Sequence, residues 1–301
     1  MPVASRRAVL TVLTAGALAG CGRTAGIGAG SGGVTASPAS SPSPSGAIAT
    51  GSASPLLAPV TPTVSPAVTR AQIVAAYGHR APRTWGFGGP GVIQTVPAQH
   101  RVIALTFDAC GGPGGSGYDR ALITFLRRRE IPATLFLNSR WIDENPAAFR
   151  QLAGEPLFEI GNHGTRHLPL SVTGRSAYGI GGTRDAGQVY DEVAGNQAKL
   201  SQLMGRPPRF FRAGTAYSDD VAARIVGAMG ERLVTFAVNG DGGATFTPGE
   251  VAAAVTGAAP GSVVICHMNH PEGGTARGIA AAVPRLLASG HHFVRLPDEL
   301  H

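Results

Sequence analysis

From Arg101 onward, short apolar runs and helical patterns take turns along the chain. The runs fall at 101–107, 133–138, 157–162, 208–212, 232–239, 261–267 and 292–296. Helical periodicity lies between them, near 119–129, 146–153, 185–204, 219–229, 248–258 and 275–289. A strand that returns through a helix lies parallel to the strand before it, so this alternation implies a parallel sheet faced by helices. About seven strands in one domain favour a distorted, incomplete (β/α) barrel, with an open doubly wound sheet as the alternative. No G-x-G-x-x-G opens the first helix: the spacing Gly112, Gly114, Gly117 lies wholly in the loop before it, which argues against a dinucleotide fold.

The part before residue 100 is different in kind. Residues 1–21 read as a targeting segment: Arg6 and Arg7 precede a run of apolar and small residues that ends in Leu18-Ala19-Gly20-Cys21. That ending resembles a bacterial lipobox, in which Cys21 is lipidated, and the paired arginines resemble a twin-arginine export signal. The expected location is the extracytoplasmic face of the cell membrane, reached as a lipoprotein. Residues 22–68 are Gly, Ser, Ala, Pro and Thr with hardly a charge or aromatic. Such a segment buries too little apolar surface to offset its chain entropy and is expected to be a disordered tether. Residues 69–99 form an N-terminal extension, with a short helix from Ala71 to Tyr77 and with Trp85 and Phe87 expected to pack under the domain. The catalytic domain is expected to span residues 100–301.

The net charge is +7, almost all from arginine, because Lys199 is the only lysine. This favours anionic surroundings such as cell-wall polymers. No basic run interleaved with aromatics occurs, which argues against nucleic acid as a partner.

In a (β/α) barrel the chemistry gathers at the C-terminal ends of the strands. The first run stops at Asp108. The third ends at Asn162 and leads into His163 and His167, the fourth ends on Arg212, the fifth near Asn239 and Asp241, and the sixth on His267. The H-x-x-x-H spacing of His163 and His167 suits two imidazoles on one divalent ion, with zinc the expected metal. Asp108 has no neighbouring Ser or Cys nucleophile with a partner base, so it is cast as a general base on water. His267 is then the general acid, with Arg212 and Asp241 orienting the pair.

These strand ends, in this order, resemble the polysaccharide deacetylase family, the NodB-homology domain of carbohydrate esterases. Leu105-Thr106-Phe107-Asp108 resembles its T-F-D-D motif, and His163-Gly164-Thr165-Arg166-His167 its metal-binding H-[ST]-x-x-H. Arg212 within FFRAG, the stretch around Asp241, and His267 within VVICHM resemble the remaining three. The resemblance covers roughly residues 100–296. It implies a distorted barrel and metal-assisted hydrolysis of N-acetyl groups on a glycan, with the oxyanion met by a backbone N–H at Thr215. The alternatives are a carbohydrate-binding barrel without catalysis and an O-acetyl esterase.

The departures bear on the metal. Ala109 replaces the second Asp of the motif, the family's third ligand, and Gly164 replaces its Ser or Thr. The missing ligand leaves four options: a thiolate from Cys110, Asp108 itself, water, or no metal. Cys110 and Cys266 could instead form a disulfide across the rim or be inert buried thiols. Asp119 is expected to cap the first barrel helix, and Asp219 and Asp220 to sit in the first turn of a later one. Asn269 and His270 are candidates for the substrate groove. Trp141 is either a sugar platform or a packed aromatic, and His291 and His292 are structural or exposed.

Overall fold

The computed structural model describes residues 68–98 and 101–296. The targeting segment, Cys21 and the linker up to residue 67 lie outside the described residues. Among the described residues no helix is long and apolar enough to cross a membrane.

The elements in chain order are α1 (Arg70–Tyr77), β1 (Trp85–Gly86), β2 (Val92–Ile93), β3 (Val102–Ala109), α2 (Arg120–Arg128), β4 (Ala133–Leu137), α3 (Ser139–Glu144), α4 (Pro146–Ala153) and β5 (Phe158–Asn162). There follow α5 (Ala186–Met204), β6 (Phe210–Phe211), β7 (Ser218–Asp219), α6 (Asp220–Ala228), β8 (Arg232–Val234), β9 (Val238–Asn239), α7 (Pro248–Thr256), β10 (Val263–His267), α8 (Thr275–Ala288) and β11 (His292–Val294). Nine strands join in one sheet, ordered β2-β8-β6-β5-β4-β3-β10-β9, with β11 beside the start of β3. Every pairing in it is parallel. This is the incomplete α/β barrel expected from the alternation.

The two strands beyond the expected seven have identifiable origins. β2 comes from the N-terminal extension, and the run 232–239 breaks into β8 and β9. That break carries the chain from one end of the open sheet to the other. β8 pairs with β2 and β6 near one end of the sheet, while β9 pairs with β10 at the other. The chain swings between them, held by Thr235 N–H to Ile93 O and Ala237 N–H to Val263 O.

Alternation along the strands divides the core into an inside and an outside. In β3, Ile103, Leu105, Phe107 and Ala109 belong to the outer core under the helices, while Ala104 belongs to an inner cluster. That inner cluster, with Phe136, Phe210, Val234, Val263 and Leu296, fills the barrel interior. Outside, α2, α7 and α8 bury one stripe each, for example Leu122, Ile123 and Leu126 of α2. Asp119 caps α2 as expected, accepting from Leu122 N–H at 2.9 Å. Of the two acids expected in the first turn of α6, Asp220 lies there and Asp219 is instead its cap, accepting from Ala222 N–H at 2.8 Å.

The extension is sewn onto the barrel. Ile73 is buried against α5 and α6, and Arg70 pairs with Asp191 at 2.9 Å. The Asp220 carboxylate accepts from the N–H groups of Arg83 and Thr84 at 2.7 and 3.1 Å. β1 pairs antiparallel with β7. Trp85 and Phe87 therefore do not pack under the domain. Phe87 stacks between Tyr217 and Phe236, with ring centroids at 4.3 and 4.9 Å, and lines the cleft at the strand ends.

Candidate active site

The sequence candidates converge on one rim. A cleft of about 400 Å³ is lined by Asp108, His167, Thr215 and His267, with Phe87, Tyr178 and Phe236 among its walls. Asp108 and His267 are register partners on β3 and β10, so their side chains share one face.

Asp108 is buried, and Arg212 Nη1 donates to its Oδ1 at 2.7 Å. Arg212 is itself fully buried. It also donates to Thr106 Oγ1 at 2.9 Å and Thr235 O at 2.8 Å, and its guanidinium lies 4.2 Å from the Phe136 ring centroid. Burial alone would raise the Asp108 carboxyl. The Arg212 charge, with smaller help from His163 and His267, more than offsets it and holds Asp108 below the ordinary carboxylate value. Asp108 is thus ionised at neutral pH.

His267 receives the opposite treatment. Its Nδ1 lies 2.9 Å from Asp241 Oδ1, and its backbone N–H donates to Asp241 Oδ2 at 2.6 Å. Thr275 Oγ1 completes the cradle, donating to the same oxygen at 2.9 Å. Burial would lower His267, but the hydrogen bond to Asp241, with Cys110 and the Asp241 charge, carries it well above the ordinary imidazole value. The different partners thus push the two groups apart, Asp108 towards the carboxylate and His267 towards the imidazolium.

A second cluster adjoins them. One donor atom each from Cys110, His163 and His167 lie within 4.8 Å of one another. His163 Nε2 is 3.8 Å from Cys110 Sγ and 3.5 Å from Asp108 Oδ2. Its Nδ1 sits 2.9 Å from Arg212 O. A carbonyl only accepts, so Nδ1 carries the proton and Nε2 presents its lone pair to the cluster. His167 Nε2 is buried with no protein partner, the kind of orphan that a bound ion resolves. The donor set therefore fits a metal.

The supports of this loop carried no sequence signal. The Glu192 carboxylate on α5 accepts from Arg166 N–H at 3.0 and 3.1 Å and from Leu168 N–H at 3.2 Å. Its Oε1 fills the space a Cβ at Gly164 would need, and Gly164 has φ +78°. This accounts for glycine where the resembling motif has Ser or Thr. Gly214 is needed for a similar reason, because a Cβ there would strike the backbone of His167.

Thr215 lines the cleft, and among the described residues its N–H has no backbone partner. Other expectations need correction. Asn269 does not line the cleft. It is buried and donates to Gly115 O at 2.9 Å, holding the glycine loop. His270 pairs with Glu272 outside the cleft. Trp141 is the packed aromatic, fully buried with Nε1–H donating to Gly117 O at 2.7 Å. His291 is buried against Ser289 and His292 is exposed.

Cys110 and Cys266 are both free. Cys266 is paired in register with Phe107, one residue off the Asp108–His267 pair, and belongs to the outer core. Cys110 faces the histidines. The two thiols thus lie on opposite sides of the barrel wall, which removes the disulfide reading. Ala109 also faces outward, into the apolar core with Leu137. The inward position is the next one, Cys110. Strand parity carried this signal: if Asp108 points in, residue 109 points out and residue 110 points in again.

Comparison with known proteins agrees with this geometry. Residues 95–234 match the family model described as polysaccharide deacetylase. An uncharacterised protein of Streptomyces coelicolor is 28% identical over 203 residues, 66% of this chain and 71% of its own length. A CE4 family pseudoenzyme from Bacillus anthracis has the same fold at 18% identity and a TM-score of 0.58, covering 69% of this chain and 68% of its own. A peptidoglycan N-acetylglucosamine deacetylase is similar at 21% identity and a TM-score of 0.57, covering 69% of this chain and 91% of its own. The barrel and the order of the strand-end residues agree with that match: residues 95–234 are similar to a polysaccharide deacetylase domain.

Proposed function

We propose that this protein removes N-acetyl groups from a cell-envelope polysaccharide by hydrolysis of the amide bond. The observation that carries the reading is the pair of register partners on one rim with opposite counter-groups, Asp108 held by Arg212 at 2.7 Å and His267 held by Asp241 at 2.9 Å. Asp108 takes a proton from water, which attacks the acetyl carbon. The Thr215 N–H donates to the oxyanion that forms. His267 gives its proton to the departing amine, and Asp241 steadies the imidazolium until then. Arg212 keeps Asp108 ionised and aimed. His163 and His167 would hold a divalent metal, with zinc the expected ion. When bound, it would polarise the acetyl carbonyl and lower the pKa of water from ~15.7 towards about 7. The glycan lies against Phe87 and Phe236 of the cleft wall, whose rings suit the apolar faces of sugars. A similar solved structure is that of a peptidoglycan N-acetylglucosamine deacetylase, which supports a cell-wall glycan as substrate and an exported enzyme. Anchoring through a lipidated Cys21 is part of the same proposal, motivated by the ending Leu18-Ala19-Gly20-Cys21.

The test is acetate release from N-acetylglucosamine oligomers, first with metal-stripped protein and then after adding zinc. Release restored by zinc is expected. Silence in both conditions, with glycan binding retained, would replace this reading with the second one, a carbohydrate-binding barrel without turnover. That second reading draws on Ala109, which offers no ligand atom, and on the likeness to a pseudoenzyme.

A further inference from the structure

We propose that the Cys110 thiolate is the third protein ligand of the metal centre, taking the place left by Ala109. This rests on the reading of His163 and His167 as ligands given above. The chain's geometry favours a cysteine one position later over a restored carboxylate. β3 stays regular through Ala109, whose side chain is committed to the outer core. The following residue returns to the inner face, where Cys110 meets the two imidazoles. The chain then turns at once: Gly111 and Gly112 have φ +67° and +80°, and a Cβ on Gly111 would collide with the backbone at Trp141. Those glycines hold Cys110 inward instead of letting the strand run on.

The distances suit a tetrahedral centre. Zinc bond lengths of about 2.3 Å to sulfur and 2.0–2.1 Å to nitrogen put two such ligand atoms about 3.6 Å apart. Cys110 Sγ and His163 Nε2 are 3.8 Å apart, so a small contraction closes the set. The His163 tautomer is already fixed for ligation by Arg212 O, and His167 Nε2 is buried with no hydrogen-bond partner. Asp108 is the weaker competitor for the third place: its Oδ1 is engaged by Arg212, and although its Oδ2 lies 3.5 Å from His163 Nε2, the group that closes around both imidazoles is made by Cys110 and not by Asp108. Two imidazoles and a thiolate form a softer set than two imidazoles and a carboxylate, so the site should select zinc or cobalt over magnesium or manganese.

The test uses the full chain carrying Cys21→Ala, reduced, stripped of metal and titrated with Co(II). One equivalent of tetrahedral Co(II) with a sulfur-to-cobalt charge-transfer absorption in the near ultraviolet is expected. Cys110→Ser should abolish that absorption and weaken Co(II) binding by at least about 100-fold, more than the loss of an outer partner gives. Cys266→Ala should retain both. X-ray absorption on the zinc-loaded parent needs no variant and should show one sulfur at about 2.3 Å. Co(II) bound with only nitrogen and oxygen neighbours would overturn the thiolate, and so would no Co(II) binding at all. The two readings fail separately. Light-atom ligation with acetate release would leave the deacetylase standing without Cys110. Thiolate ligation without acetate release would do the reverse.

Discussion

Asp108 and His267 face each other across the β3–β10 ladder as direct register partners, yet each is tied to a different buried counter-group. This separates what their loss should do. Asp108→Asn leaves the Arg212 guanidinium fully buried without its carboxylate, a situation that costs about 3–5 kcal/mol. It should therefore lose stability together with about a hundred- to ten-thousandfold of acetate release. His267→Gln should lose comparable activity with a smaller drop in melting temperature, because the Asp241 left behind keeps the His267 N–H and Thr275 Oγ1 as donors. Equal destabilisation by both variants would show that the Arg212 pair is not the costlier one to break.

Putting back the acid that the family motif has at position 109 should not rebuild a metal ligand. Ala109 has no exposed surface and packs with apolar residues of the outer core. Ala109→Asp would bury an unpaired carboxylate there, at about 3–5 kcal/mol. The expected outcome is a lower melting temperature with no gain in Co(II) affinity. A stable variant that binds metal more tightly would mean that β3 can shift its register of faces.

Glu192 should matter to the metal without touching it. Its carboxylate is the acceptor for the N–H groups of Arg166 and Leu168, on either side of His167. In Glu192→Ala those groups lose their partner, at about 1–3 kcal/mol for each that stays dry. The loop that aims His167 should loosen, weakening Co(II) binding about 10- to 100-fold, the usual range for an outer support. Unchanged affinity would make Glu192 a purely structural residue.

Phe87 reaches the cleft from the N-terminal extension and packs with Tyr217 and Phe236. Phe87→Ala should raise KM about two- to tenfold, the range of one aromatic contact of 0.5–1.5 kcal/mol, with kcat nearly unchanged. A fall in kcat at constant KM would place Phe87 with the chemistry instead of with glycan binding.

What was legible in the sequence was the part written in local pattern. The run from Val102 to Phe107 ending on Asp108 announced both the strand and the acid at its end, and the strand-end order picked out Arg212, Asp241 and His267, which the fold brings to the same rim. Less local facts were hidden. The run 232–239 reads as one apolar strand, and nothing in it marks the crossing that puts β8 and β9 near opposite ends of the sheet. Glu192 acts through backbone N–H groups far away in the chain, and those carry no side-chain signature. Phe87 was assigned to the underside because the extension's path over the rim depends on Asp220 catching the N–H groups of Arg83 and Thr84. Asn269 follows His267 by two residues, but its amide is spent on Gly115 O.

Glu231 supplies a test of the fold that is independent of the chemistry. It is buried at the start of β8, where its Oε1 accepts from Asn162 Nδ2 at 2.9 Å and its Oε2 has no partner. Burial raises its carboxyl well above the ordinary value of 4.5, and the hydrogen bonds from Asn162 and Gln197 only partly counter this. A folded-state value above the unfolded one means that the carboxyl's contribution to stability is complete below about 4.3. It is lost as pH rises through the folded value, when a buried charge must be tolerated or the group must unfold to ionise. Glu231→Gln keeps the acceptor for Asn162 and cannot ionise. Its melting temperature relative to the parent should therefore climb as pH is raised from 4.5 to 8. A constant difference across that range would mean that Glu231 ionises as easily folded as unfolded, and that its burial is relieved by solvent reaching Oε2.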